Sequence, residues 1–370
     1  MPDAPETLKT LFQAGVDAVG GKTAVANALA KADIASVDAI IAVGKAATAM
    51  AEAAHESFPQ APVLIVTKYG HAENAPAQAE VIEAAHPVLD DNGIKAGARL
   101  RDFVDEMPTG SHLLVLISGG ASALAELPVD GHDLASLKER TEELLRSGAD
   151  IHEMNAIRKT LSQIKGGKLF AGFRGARIST LAISDVEGDA LSVIGSGLGD
   201  ADATAGFEFT SQIVASNAIA RDSVTEAAKA QGLRVKTNLE TLYADVTTLG
   251  PKLARSLVAG PSGLHIWGGE PTVVLPENPG QGGRNQALAL LIAREIAGHD
   301  GITVLVAGTD GTDGPTDAAG AIVDARTWDE TGAEALARAD AGPWLEARGA
   351  LLKTGPTGTN VMDLVIALKD

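Results

Sequence analysis

Cysteine is missing from all 370 residues. Its absence excludes disulfides, thiolate catalysis and cysteine-ligated metals together, and it fits a reducing compartment. Long hydrophobic runs are missing too: stretches such as Ala287–Ala293 are far too short to span a bilayer. The opening segment, MPDAPETLKTLFQAG, has acids ahead of any apolar run and no small-residue cleavage site, so it does not read as a signal peptide. A soluble, cytoplasmic protein with no membrane partner is the expectation. Positive charge is scarce, with 30 Lys and Arg against 48 Asp and Glu and a net charge of −18. Such a surface repels polyanions, and no local basic patch offsets it, so no nucleic-acid partner is expected. A homo-oligomer stays open.

What the chain does have is glycine, 41 residues of it, with an ordinary globular balance of 45% hydrophobic and 21% charged residues. The length favours two domains. Short apolar runs ending in glycine or small polar residues recur ahead of helical patterns: Val37–Val43, Ala61–Thr67, His112–Ser118 and Ile178–Ser184. Continuous hydrophobicity is what strands buried on both faces require. The reading is an α/β fold: a Rossmann-like, mainly parallel sheet with helices on both faces over residues 1–235, and a smaller α/β domain over 236–370. In the second part LHIWG, TVVLP, ITVLVAG, GAIVD and VMDLVIAL are strand candidates for a sheet that need not be all parallel.

Parallel sheets put ligand sites at the carboxyl ends of strands, so the chemistry is sought there. Gly20-Gly21-Lys22-Thr23 resembles a phosphate loop but fails on spacing: lysine must directly follow Gly20, and position 21 is Gly. Lys45 is better placed, since a buried strand ends at Val43, Gly44 turns, and a helix starts at once. A cation in a first helical turn opposes the macrodipole, which argues for a ligand, although a surface lysine is the plain alternative. Ser118-Gly119-Gly120-Ala121-Ser122 follows the HLLVLI strand, and its amides and hydroxyls suit a phosphate or a carboxylate. Ser184-Asp185-Val186-Glu187-Gly188-Asp189 follows another strand, with Gly195-Ser196-Gly197 after it. Asp189 is the candidate to accept a hydroxyl proton, against an Asx-type turn.

His152-Glu153 lacks the second histidine of HExxH, since position 156 is Ala. Arg158, Lys159, Lys165 and Lys168 either present cations to an anionic substrate or form a solvated face. In the second part, Gly280-Gln281-Gly282-Gly283-Arg284 leads into a helix, and Arg284 could clamp a carboxylate or phosphate beside the Gly282 and Gly283 amides, or be a surface arginine. Asp310, Asp313 and Asp317 lie among glycines after ITVLVAG. The calcium-loop pattern fails at Ala321, so Mg²⁺ with phosphate oxygens fits better than Ca²⁺, with solvated turn acids as the alternative. Lys353–Asn360 is either a further ligand loop or a turn.

Taken in order, GKAATAMAEAA, AAHPVLDDNG, SGGASAL, HEMNAIRKTLSQIKGGKL, SDVEGD, GGEPTVV, GQGGRNQALAL, GTDGTDGPTDAAGA and TGPTGTNVMDL resemble the glycerate 2-kinases that carry a MOFRL carboxyl-terminal domain. The resemblance spans nearly the whole chain, departing at Ala121, Leu198 and Ala287. It implies ATP-dependent phosphorylation of D-glycerate at its 2-hydroxyl, two α/β domains with the site in their cleft, and a divalent metal. It also implies catalytic roles for Lys45 and Arg284. Relatives of this kind have also been labelled hydroxypyruvate reductases, but an NAD(P)H enzyme needs a GxGxxG turn, and Gly195-Ser196-Gly197-Leu198-Gly199 has the wrong last interval. A non-catalytic sugar-acid or nucleotide-binding protein is the other alternative.

Overall fold

The structure is a computed structural model. It describes residues 3–32, 34–146, 151–201 and 206–370, without the side chains of residues 141–142, 144–146 and 151–155. His152 and Glu153 therefore lie outside the described side chains.

Among the described residues twelve strands form two six-stranded sheets. β1 (Ala39–Val43), β2 (Val63–Lys68), β3 (Glu80–Ala84), β4 (His112–Ile117), β5 (Arg177–Ile183) and β6 (Glu208–Ala215) build the first. Their spatial order is β3-β2-β1-β4-β5-β6, and every pair is parallel. This is the strand order of the doubly wound dinucleotide-type fold. Side chains alternate across a sheet, so the apolar runs can be tested face by face. Ile41, Val43, Leu64, Val115 and Ile117 pack with Leu100 and Val104 of the helix Asp91–Asp105. The alternate residues Ile40, Ala42, Ile65, Leu114 and Leu116 are equally inaccessible, and the helix Ala47–Ser57 packs against β1, β2 and β4. Both faces are thus covered, and each fully buried Ile or Leu contributes roughly 2 kcal/mol.

β7 (Val235–Glu240), β8 (Gly263–Gly269), β9 (Ile302–Gly308), β10 (Gly320–Asp324), β11 (Leu351–Leu352) and β12 (Asp363–Lys369) build the second sheet, in the order β11-β10-β9-β12-β8-β7. Only β7 and β8 pair in parallel. The helices Val246–Ala259 and Arg284–Ile296 cover it through Leu253, Leu257, Leu288 and Ile292, packed with Trp267, Val304, Val306 and Val365. The segment TVVLP is not a strand: Val274 is 84% and Leu275 56% exposed, and Thr272 makes only an isolated bridge to Asp245. Its β-branched residues suit a strand, but no neighbour supplies the ladder.

The chain divides into two compact units, one of Gly20–Ala215 and one of Met1–Val19 with Ser216–Asp370. This partition differs from a cut at residue 235 for a physical reason. The helix Asn217–Ala230, capped by the Ser216 hydroxyl, packs on β7 and β8. The helix Ala4–Ala18 docks on it closely enough that a Cβ at Gly15 would lie 2.8 Å from Val224 Cγ2. The Thr359 hydroxyl donates to the Val19 carbonyl at 2.6 Å and ties off the end of that first segment.

Candidate active site

Where the strand order of the first sheet reverses, between β1 and β4, the two following loops lie side by side. Such a switch point opens a crevice at the strand carboxyl ends. The Ser118 amide donates to the Val43 carbonyl at 3.0 Å and the Lys45 amide to the Gly119 carbonyl at 2.9 Å. The Ser118 hydroxyl accepts from the Ala46 amide at 3.0 Å. Gly44, at φ 131°, faces Ser118 so closely that any Cβ would run into its side chain and carbonyl. Gly120, at φ 85°, has the aliphatic stem of Lys45 on one side and the His86 ring on the other. A Cβ there would stand 3.1 Å from Lys45 Cγ and 3.2 Å from His86 Nε2. The structure thus brings Lys45, Ser118, Gly119 and Gly120 together, two motifs more than seventy residues apart in sequence.

The serine-glycine loop forms one wall of a cavity of about 590 Å³ within this unit. Ser122 faces it, its hydroxyl 2.8 Å from the Ser196 hydroxyl of the Gly195-Ser196-Gly197 turn. That turn is knitted to the loop ahead of β5, since the Gly166 amide donates to the Ser196 carbonyl at 2.9 Å and the Gly167 amide to the Gly197 carbonyl at 3.0 Å. Deeper in the wall, Lys165 and Glu126 form an ion pair at 2.5 Å with side chains 3% and 4% exposed. Burial pushes the Lys165 ammonium down from its ordinary value, opposed by the Glu126 charge and hydrogen bond. His71, next to the same crevice, is also pushed down, first by burial and then by the Lys68 charge, and it hydrogen-bonds the Lys45 backbone.

Of the carboxylates after β5, the one brought to this loop is Asp185. A Cβ on Gly119 would overlap its carboxylate, so glycine at 119 is what lets the acid approach. Asp189 sits four residues on, at φ 54° in the short turn Glu187–Asp189. Both are acids beyond the same strand, and the sequence holds no signal that separates them. Lys22 lies on the helix Gly21–Lys31, salt-bridged to Glu52 at 2.7 Å and Glu56 at 2.8 Å, so it forms no phosphate loop.

In the other unit, Gly283 starts the helix Arg284–Ile296 without a side-chain cap of its own. Asp313 reaches over instead and accepts from the Asn285 amide at 3.0 Å and the Gln286 amide at 2.8 Å. Burial pushes the Asp313 carboxyl up to about 7, against the lowering effect of those two amides. Arg284 donates from Nε to Asp363 Oδ2 at 2.6 Å and from Nη2 to Oδ1 at 3.2 Å. Its Nη1 pairs with Glu270 at 2.8 Å. Burial would lower the guanidinium, but the Asp363 and Glu270 charges more than offset it and hold the group firmly protonated. Asp363, fully buried, is pushed above the usual carboxylate range by desolvation despite Arg284.

Asp310 turns back to accept from the Thr312 amide and hydroxyl, and the exposed Asp317 pairs with Lys353 at 3.2 Å. With both Asp313 oxygens taken by backbone amides, these three acids do not converge on a cation. Among the described residues no group of three or more His, Asp or Glu side chains is arranged to hold a metal. Gly282 and Gly283 border a second cavity of about 590 Å³ in this unit, walled mainly by apolar side chains such as Val246, Leu291 and Leu336. No helix among the described residues is long and apolar enough to cross a membrane.

A domain of unknown function, DUF4147, matches residues 7–230, and the MOFRL family matches residues 263–363. D-glycerate 2-kinase of Thermotoga maritima is 37% identical over 98% of this chain and 99% of its own. A relative from Agrobacterium vitis, 35% identical over 88% of this chain and 97% of its own, carries a hydroxypyruvate reductase label. The crystal structure of a glycerate kinase from Thermotoga maritima superposes with a TM-score of 0.89 at 35% identity, covering 99% of both chains. With both domain types matched in order and the fold shared end to end, the chain belongs to the glycerate kinase family that joins a DUF4147 domain to a MOFRL domain.

Proposed function

We propose that the protein transfers the γ-phosphoryl group of ATP to the 2-hydroxyl of D-glycerate, giving 2-phosphoglycerate and ADP. The observation that carries this reading is the meeting of Lys45 with Ser118-Gly119-Gly120 at the switch point of a doubly wound sheet. Phosphoryl transfer asks a protein chiefly for position and for cationic and N–H groups around the transferring oxygens. Lys45 supplies the charge, and the glycine loop supplies amides that a phosphoryl oxygen can approach. Asp185, held against Gly119, is the acid we assign to accept the hydroxyl proton, in place of Asp189.

Arg284 offers a further cation. Its grip on the buried Asp363 is permanent, but Glu270 is 48% exposed, and an exposed ion pair is worth little. Nη1 can therefore exchange Glu270 for an oxygen of an anionic ligand while Nε and Nη2 keep their partner. Mg²⁺ enters in this reading on the phosphates of ATP, which suits an ion that takes few protein ligands. Asp310, Asp313 and Asp317 are left as loop-forming acids.

The test is direct. Purified protein with glycerate and MgATP should form ADP and 2-phosphoglycerate, and with hydroxypyruvate and NADH should leave NADH untouched. NADH consumption without ADP formation would overturn the reading. Lys45→Ala should lower kcat by about 10²-fold or more with the fold retained; a near-normal rate would remove Lys45 from the reaction.

A further inference from the structure

The cavity beside the serine-glycine loop is bordered by several cations, and the structure distinguishes them by what each is already doing. Lys165 is committed to Glu126 inside the wall. Lys168 donates to the Lys159 carbonyl at 2.6 Å and the Ser162 carbonyl at 2.9 Å, and Lys159 donates to the Ser192 carbonyl at 2.8 Å. These three lysines tie loops together. Lys138 and Arg140 line the rim and are both exposed, and Arg140 pairs with Glu143 at 2.8 Å. Arg158 differs. It is half-buried, it lines the cavity together with Gly120, Ser122 and His86, and its guanidinium makes no hydrogen bond or ion pair among the described residues. It lies close enough to Lys165 for its charge to help push that ammonium down, so the carboxylate of Glu126 serves Lys165 and leaves the Arg158 charge unanswered.

A half-buried guanidinium facing a cavity without a counter-ion is poised for an anion, and its planar fork matches a carboxylate through two parallel hydrogen bonds. We infer that Arg158 anchors the carboxylate of a short 2-hydroxy acid in this cavity, which aims the 2-hydroxyl toward the serine-glycine loop. The assignment rests on the phosphotransfer reading above. That reaction brings two anionic groups to the site, and the phosphoryl group is matched by Lys45 and the loop amides, so the half-buried cation left for the acid is Arg158, Lys138 being exposed to solvent at the rim. Selection then comes from charge: glycerol, which carries the hydroxyls but no carboxylate, leaves the guanidinium without a partner.

Steady-state kinetics on Arg158→Ala and Arg158→Lys test this. The alanine variant should raise KM for glycerate about 30- to 100-fold, the loss of one charge-assisted pair, with KM for ATP within about twofold and kcat reduced much less. The lysine variant should recover part of the loss. The preference for glycerate over glycerol should collapse in Arg158→Ala. A rise in KM for ATP alone would show that Arg158 holds a phosphate and would overturn the assignment, as would unchanged constants for both substrates. Matched thermal melts identify a variant that fails to fold, in which case Arg158→Lys carries the test through the same KM split. If the wild-type protein phosphorylates nothing, the phosphotransfer reading falls by itself. Calorimetric titration of wild type and Arg158→Ala with glycerate alone then decides the anchor: binding lost in the variant supports it, and equal binding or none overturns it.

Discussion

Arg284 and Asp363 face each other through two parallel hydrogen bonds, one from Nε at 2.6 Å and one from Nη2 at 3.2 Å, and the Asp363 side chain is 2% exposed. Removing the arginine leaves a buried carboxylate with no counter-charge. Arg284→Ala should therefore cost stability as well as turnover, roughly 3 kcal/mol, toward the low end for a buried pair because the guanidinium is a third exposed. Pairing it with Asp363→Asn should restore most of the stability and none of the rate. Denaturant midpoints of the two single variants and the double variant check this; a stable Arg284→Ala would mean that Asp363 finds another partner.

Asp185 and Asp189 should separate kinetically. Asp185→Asn removes the acid held against Gly119 and should lower kcat by about 10²- to 10⁴-fold, the usual range for a general base. Asp189→Asn should change it by less than about tenfold. The reverse ranking, measured under saturating substrates, would return the base to Asp189.

The Asp313 carboxyl should leave a pH signature in stability. Its folded value of about 7 stands above an unfolded value of 3.8, so between those limits the folded state binds more protons than the unfolded one. Stability from this group is present at low pH and is lost as the pH rises through the window. Relative to Asp313→Asn, the wild-type protein should weaken by up to about 1.4 kcal/mol per pH unit between pH 4 and 7. Urea unfolding of both proteins at half-unit pH steps measures the difference; parallel curves would show that Asp313 stays ionised.

The buried pair Lys165 and Glu126 should behave as a unit. Either Lys165→Met or Glu126→Gln alone strands a polar or charged partner in the wall and should cost about 3–5 kcal/mol. Replacing both, Lys165→Met with Glu126→Leu, should cost less than either single change. A double-mutant cycle by thermal or denaturant unfolding supplies the comparison, and simple additivity would argue that the two groups do not interact.

Much of the fold could be read along the chain, because strands buried on both faces are continuous apolar runs: the run Val37–Val43 contains β1, and His112–Ser118 differs from β4 by one residue. Lys45 stood out for the same reason, as a cation at the turn after such a run. The failures share a cause as well. TVVLP has strand chemistry but no pairing edge, and no local pattern reveals an absent neighbour. Arg158, Lys159, Lys165 and Lys168 look alike in sequence, and only their partners, Glu126 and three backbone carbonyls, tell which cation is left. The acids after β5 differ only in which one meets a residue without a Cβ, at Gly119, and the role of Asp313 depends on a helix that begins 29 residues earlier, at Arg284.

The first helix, Ala4–Ala18, packs with elements that lie beyond Ser216. A ribosome makes this helix before its partners, while the whole of Gly20–Ala215 emerges in between and can close its own sheet. The helix must wait, its apolar face of Leu8, Leu11, Phe12 and Val16 unmatched, until the carboxyl-terminal strands arrive. Docking it is then a long-range closure, slow by its contact order and late in assembly. Deleting this amino-terminal segment would therefore wound the carboxyl-terminal unit and leave the neighbouring sequence intact.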